Sequence, residues 1–368
     1  MPEIPTDTDG QQLNDWLARV REPALRPEQP IIDAHHHLWD RRNPDAYREP
    51  TPTHSRYLGD ELMDDILGSG HNVIDTVFIE CLSMYDLRGG PTAPAGEIEF
   101  VQGIAAMAAA GLYGKGLRCC SAIVGFAELT AGAEVDITLD ALARASRGFR
   151  GIRQAHGWHA SRDVPPNHHP TRKISNLLER EDFRAGFSKL EERGLLFECW
   201  GYHFQLPQVR DLALAFPGVS IVLDHIGGPI AIGPFAGQRE TQVFDAWKRD
   251  VEALAGCPNV VAKLGGCGMP TYGFGFEDRN QPPPDSKALA AAWKPYFEWV
   301  IAAFGPERCM FESNFPVDKV SCSYGCLWNA FKRIAADAKL DPTQQNDLFY
   351  GTAARTYGIS LPDLQAEG

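Results

Sequence analysis

Short apolar runs recur along this chain, each followed by a polar or aromatic loop and then by a longer amphipathic stretch. The runs are Ile31–His37, Val73–Glu80, Cys119–Val124, Gly148–Arg153, Leu195–Trp200, Val219–His225, Asn259–Leu264 and Arg308–Asn314. Most are continuous rather than alternating, the pattern of parallel strands buried on both faces. Helical spacing follows in Phe100–Ala110, Leu139–Ala145, Asp182–Arg193, Gln208–Ala215, Val243–Ala255 and Lys287–Phe304, several of which stop at a glycine such as Gly194, Gly256 or Gly305. Repeated strand–helix units of this number predict an α/β fold, the (β/α)8 TIM barrel, which takes about 250 residues plus insertions. A doubly wound sheet is the alternative, but no GxGxxG opens a βα unit. Residues 1–29 read as an N-terminal arm with a short helix near Asn14–Val20, and residues 30–360 as one barrel domain.

Two connections are long. Loop 154–176 follows the fourth strand and contains His156, Trp158, His159, His168 and His169; loop 265–286 follows the seventh and contains Tyr272, Phe274, Phe276 and three consecutive prolines, Pro282 to Pro284. Long loops after barrel strands lie at the C-terminal face, where barrel active sites form.

Composition narrows the function classes. The 368 residues are 44% hydrophobic with a net charge of −13, and no cluster of Lys and Arg forms a basic patch. A nucleic-acid partner is therefore not expected. No apolar stretch approaches the roughly 20 residues that span a bilayer, and the N-terminus lacks a signal-peptide pattern. The 9 cysteines are odd in number and form no CxxC pair, which fits a reducing cytoplasm.

The chemistry gathers at strand ends. His35 and His37 lie two apart at the end of the first strand, so they share a face while His36 points oppositely. Two imidazoles on one face are the start of a metal site or a histidine-rich turn. His203 and His225 lie at or just past the fifth and sixth strands, and His156 just past the fourth. Arg153 ends the fourth strand, where a cation suits a carboxylate or developing oxyanion, or else an ion pair with Glu80 or Glu198; Lys263 ends the seventh in the same way.

Asp33-Ala34-His35-His36-His37-Leu38-Trp39-Asp40, Leu223-Asp224-His225-Ile226-Gly227-Gly228-Pro229 and Met310-Phe311-Glu312-Ser313-Asn314-Phe315-Pro316-Val317 appear in barrel order. Together they resemble the amidohydrolase superfamily, specifically its amidohydrolase 2 branch of sugar-acid lactonases, pyrone dicarboxylate lactonase and metal-dependent decarboxylases. The resemblance covers residues 31 to about 358. It implies a divalent metal, usually zinc, on His35, His37 and a strand-five ligand that matches His203, with Phe204 intervening before Gln205-Leu206-Pro207. It also implies a role for His225 in proton transfer or carbonyl polarisation. The chain departs from the family at Asn314, which stands where relatives carry a metal-binding, water-activating aspartate. Asparagine cannot serve as a general base near neutral pH. Glu312 and Asp318 are the nearby carboxylates that can compensate if the backbone allows.

The expectation is a cytoplasmic hydrolase of a small lactone or related acid, with His225 and Asn314 in the catalytic set. Arg153, His156, Lys263 and Tyr272 would bind a small anionic substrate beneath the aromatic groups of the long loops. A decarboxylase on the same scaffold and a non-catalytic ligand-binding barrel are the alternatives, and a homo-oligomer stays open.

Overall fold

All of the apolar runs become strands: β1 (Ile31–His36), β2 (Val73–Ile79), β3 (Ala122–Gly125), β4 (Phe149–Arg153), β5 (Leu196–Cys199), β6 (Ile221–Leu223), β7 (Val260–Leu264) and β8 (Cys309–Phe311). The computed structural model describes residues 8–42, 55–114, 116–164 and 174–361. Within it the strands form one 8-stranded parallel sheet in sequential order. Beyond the last strand, Asn314 N donates to His35 O at 2.9 Å and His37 N to Phe315 O at 2.8 Å, so the sheet nearly closes on itself. This is the (β/α)8 barrel that the pattern predicts.

The helices α1 (Thr8–Leu17), α2 (Gly59–Ser69), α3 (Ala95–Ala109), α4 (Val135–Ala145), α5 (Glu181–Arg193), α6 (Leu206–Ala215), α7 (Gln242–Ala255), α8 (Ser286–Phe304) and α9 (Tyr324–Asp337) precede two short ones, α10 (Pro342–Asn346) and α11 (Thr352–Tyr357). Gly194 ends α5 with φ 62°, the left-handed cap that glycine adopts without strain. Helices α2 and α9 lie outside the expected set. The apolar stripe of α2 is only Leu62, Met63 and Ile66, and α9 opens on Tyr324-Gly325-Cys326, a loop-like start that Ser323 caps by accepting from Cys326 N. The arm helix starts earlier than expected, and Trp16 ties it to the long loop by donating to Gln281 O at 2.8 Å.

Apolar side chains form two shells. One lies between strands and helices. The other fills the barrel floor with Ile32, Ala34, Val77, Ala122, Val124, Leu196, Val222 and Met310, against Ala353 and Tyr357 of α11. Each such fully buried aliphatic side chain contributes about 1.5–3 kcal/mol. Just above this floor the inward positions turn charged.

The aromatics of loop 265–286 do not cover the mouth. Phe274 and Phe276 stack at 5.8 Å and pack on Tyr296 and Trp293 of α8. They extend the helix-layer core, because an aromatic ring gains more by burial there than by exposure at a rim. His168 and His169 lie outside the described residues. No described helix is long and apolar enough to cross a membrane.

Candidate active site

The two-residue spacing of His35 and His37 places both in the barrel, but strand alternation alone does not. Ile32 and Ala34 face the floor, so strict alternation would send His35 outward. The pairing of β1 with β2 shifts register between Asp33 and His36, and this irregularity re-aims the strand. Asp33 holds the bend: its Oδ1 accepts from Ser313 N at 2.9 Å and His35 N at 3.3 Å, and its Oδ2 accepts from Tyr324 at 2.9 Å. His35 Nε2 and His37 Nε2 then converge to 3.2 Å, while His36 turns outward to Thr76. His37 Nδ1 donates to Ile79 O at 2.8 Å, which leaves the Nε2 lone pair directed at His35.

Charged residues surround this pair. Arg153 Nη1 lies 3.3 Å from His35 Nε2, while its Nε donates to Glu80 Oε1 at 2.7 Å and its Nη2 to Glu80 O at 2.5 Å. Burial works against the Arg153 charge, but Glu80, Asp224 and Glu198 outweigh it and hold its pKa above the ordinary value. Lys263 is fully buried, 2.7 Å from Glu198 Oε2, 3.1 Å from His35 Nδ1 and 3.5 Å from Asp224 Oδ1. Tyr357 of α11 donates to Glu198 Oε1 at 2.5 Å from the floor. Burial raises the Glu198 carboxyl to about 8 despite Lys263. His35 and His37 are pushed well below the usual histidine range, by burial first and then by the Lys263 and Arg153 charges respectively, so both are neutral.

Opposite, where β6 and β8 end, His225 Nδ1 is 2.6 Å from Glu312 Oε1, which also accepts from His225 N at 3.1 Å. Glu312 Oε2 lies 2.9 Å from His35 Nδ1, and the His225 and His35 rings are 4.6 Å apart. His225 takes a φ of 53°, and Tyr272 holds its carbonyl with a 2.5 Å hydrogen bond. Gly266 is required beside it: a Cβ there would lie 2.5 Å from His225 Cβ. Glu312 follows the last residue of β8 and faces His225 and His35, whereas Asn314, with φ 53°, is held by Asp318. Asn314 Nδ2 donates to Asp318 Oδ1 at 2.7 Å, and Gly268 N donates to Asp318 Oδ2 at 2.7 Å. Burial lifts Asp318 to about 7.

His35, His37, Arg153, Lys263 and His225 thus come together. Tyr272 is buried, and its hydroxyl donates to the His225 carbonyl. His203 packs instead against Phe204 and Phe235 with ring centroids 5.2 Å away, at the start of a short 3-10 turn leading into α6. His156 lies by Gly201, and its carbonyl accepts from Gln205 at 2.9 Å. Burial lowers both to about 4. Glu80 pairs with Arg153 as one of the two partners expected for it, Glu198 pairs with Lys263 instead, Glu312 is the compensating carboxylate, and only Asp224 had been given no role. Glu198, Asp224 and Glu312 share a signal with Arg153 and Lys263: each lies two residues beyond an inward floor position, as Glu198 does beyond Leu196 and Glu312 beyond Met310.

The three-histidine set that the resemblance implies for a divalent metal is only partly brought together. The 3.2 Å separation suits two ligands at about 2.0–2.1 Å from one ion. Yet among the described residues the group of potential ligands around His35 contains Asp224 and His225, not His203. The Arg153 guanidinium reaches the nitrogen that would bind the ion. Its fixed charge lies against the lone pair of His35 Nε2, and Asn314 adds no negative charge. The expected zinc site on His35, His37 and His203 is not assembled by these residues.

The amidohydrolase family profile matches residues 32–359. The chain belongs to the amidohydrolase family. It is a hydrolase of that family. It is 31% identical to an uncharacterized protein of Sinorhizobium fredii over 89% of this chain and 98% of that one. It is 26% identical to an L-fucono-1,5-lactonase of Burkholderia ambifaria over 90% of this chain and 96% of the relative. A zinc-bound amidohydrolase from Burkholderia multivorans has a similar fold, with TM-score 0.65, 23% identity and coverage of 90% of this chain and 99% of that one.

Proposed function

We propose that this amidohydrolase opens a small lactone, a sugar-acid lactone in the first instance, by attack of water at the C-terminal mouth of the barrel. The observation that carries this reading is the 2.6 Å contact between His225 Nδ1 and Glu312 Oε1. A carboxylate on Nδ1 fixes the ring and its tautomer, leaving the Nε2 lone pair to act on water, as in other histidine–carboxylate pairs. His225 takes a proton from the attacking water, and Glu312 stabilises the imidazolium. The Arg153 guanidinium is suited to the oxyanion that forms on the lactone carbonyl. When the ring C–O bond breaks, His225 returns its proton to the departing alkoxide, and the product is a hydroxy acid. The names of relatives such as the Burkholderia lactonase support the substrate class.

In family members that hold zinc, the ion supplies water activation and carbonyl polarisation; here His225, Glu312 and Arg153 are assigned those tasks. All 9 cysteines are buried as free thiols, which supports a reducing compartment, the cytoplasm.

The test is a panel of γ- and δ-aldonolactones assayed by acid release. Hydrolysis that disappears in His225→Ala supports the proposal. Folded wild-type protein that leaves every lactone intact, or that releases carbon dioxide from aromatic acids instead, overturns it.

A further inference from the structure

Behind the active-site face of β1 lies a second cluster, which the hydrolytic chemistry does not use. His36 points outward, Thr76 stands beside it on β2, and Cys119 and Cys120 reach it from the segment before β3. All four are buried: His36 and Thr76 are 0% exposed, Cys119 2% and Cys120 1%. The Sγ atoms of Cys119 and Cys120 are 3.3 Å apart, and Cys120 Sγ is 3.7 Å from His36 Nε2. Thr76 Oγ1 lies 2.8 Å from His36 Nε2 and 3.5 Å from Cys119 Sγ, and accepts from Cys120 N at 2.9 Å. Cys120 has φ 54°, a left-handed backbone that a non-glycine residue rarely takes, and which accompanies the turn of its thiol towards that of its neighbour.

From this geometry we infer a site for a thiophilic divalent cation, Zn2+ in the first instance, on His36, Cys119 and Cys120, separate from the hydrolytic centre. Tetrahedral zinc bonds sulfur at about 2.3 Å and imidazole nitrogen at about 2.0–2.1 Å, which spaces two sulfurs by about 3.8 Å and sulfur from nitrogen by about 3.5 Å. The Sγ–Sγ and Cys120 Sγ–His36 Nε2 separations lie within about half an ångström of those edges, and all three ligand atoms lie within 4.8 Å of one another, a difference that side-chain rotation supplies. Thr76 Oγ1 is placed for the fourth position. Charge also balances. Two thiolates and a neutral imidazole cancel the ion's charge, so the loaded site can stay fully buried without an uncompensated charge. Loading releases two protons and changes no oxidation state. Thiolate ligands also disfavour magnesium, calcium and manganese, which prefer oxygen.

Such an ion would join β1, β2 and the entrance to β3 on the outer face. It would pin the rung of β1 whose flanking residues are His35 and His37. Because the ligands are buried, the ion enters during synthesis or folding rather than by diffusion into the finished barrel.

Cobalt tests this without reference to hydrolysis. The full chain is expressed in cobalt-supplemented medium, purified under reducing conditions, and its near-ultraviolet spectrum and cobalt content are measured. The expected result is one cobalt per chain with thiolate-to-cobalt charge-transfer absorption. That absorption persists in a His35→Ala, His37→Ala double variant, whose residues carry no sulfur, and vanishes in Cys119→Ser, Cys120→Ser. X-ray absorption of the wild-type protein gives the same answer if the serine variant fails to fold: sulfur and imidazole scatterers in the first sphere support the site. Nitrogen and oxygen alone, no bound cobalt, or charge-transfer absorption that survives in the folded serine variant overturns it.

Discussion

The two sides of the barrel mouth solve opposite problems with similar residue types. At the ends of β6 and β8, His225 and Glu312 form one close pair, and Tyr272 and Gly266 fix the backbone without using the histidine's second nitrogen. At the ends of β4, β5 and β7, Arg153, Glu198 and Lys263 form a network with Glu80, Asp224 and Tyr357. The first arrangement leaves a titratable atom for a proton. The second spends Lys263 on buried partners, His35 Nδ1 among them, and leaves the guanidinium edge beside His35 Nε2. Similar charges at equivalent strand positions thus differ in role according to how many partners the neighbouring strands supply.

The largest expected effect falls on the pair. His225→Ala should lower kcat/KM about 10²–10⁴-fold, the usual contribution of a positioned acid–base group. Glu312→Gln should fall in the same range, and the two together should cost little more than either alone, because they act as a unit. Fully additive losses in lactone kinetics would separate the residues and sink the dyad.

On the network side, the main effect should be on stability. Lys263→Met leaves Glu198 and Asp224 buried without their cation and should cost about 3–5 kcal/mol in denaturant unfolding. A variant as stable as the parent would show that the network is not structural. Asn314→Asp should cost less, about 1–3 kcal/mol, by replacing the donor to Asp318 with a second carboxylate. It should gain no metal, since the position-314 side chain is held by Asp318; zinc retained stoichiometrically by that variant would contradict the placement.

Smaller still is the pH dependence. Folded Asp318 holds its proton to about 7, and Glu97 to about 8, whereas unfolded carboxyls release theirs near about 4. The folded state therefore binds more protons across that interval, and these groups lower stability as pH rises. The buried histidines His156 and His203, neutral down to about 4, act in the opposite sense below about 6.5, where unfolded imidazoles are protonated. The net expectation is a melting temperature that declines from about pH 6.5 to about pH 8, checked by calorimetry; a rise across that range would refute it. The smallest effect belongs to chelation. Dialysis against a strong chelator should leave lactone hydrolysis within about twofold, since no step is assigned to a metal. Loss of activity restored by zinc would return the HxH pair to metal chemistry.

What could be read in advance follows periodicity. Strand boundaries agree within a few residues because buried parallel strands are continuous apolar runs, and Gly194 ends its helix because a left-handed residue was needed there. Helix α2 was hidden because only three buried apolar side chains define its stripe. At the site, the HxH spacing correctly joined His35 to His37. The positive φ of Asn314, and its hold on Asp318, were announced by no residue pattern.

The sequence by itself determined the barrel, its strand order and the residues that crowd its mouth, because apolar period, glycine stops and strand-end chemistry are local properties. Tertiary structure decided which of those residues act together. The register shift in β1 aims His35 inward, the hydrogen bond to Asp318 engages Asn314, and the short turn before α6 takes His203 into an aromatic cluster. Those outcomes depend on contacts between segments far apart in the chain, where a rotation of one backbone angle changes which neighbour a side chain meets.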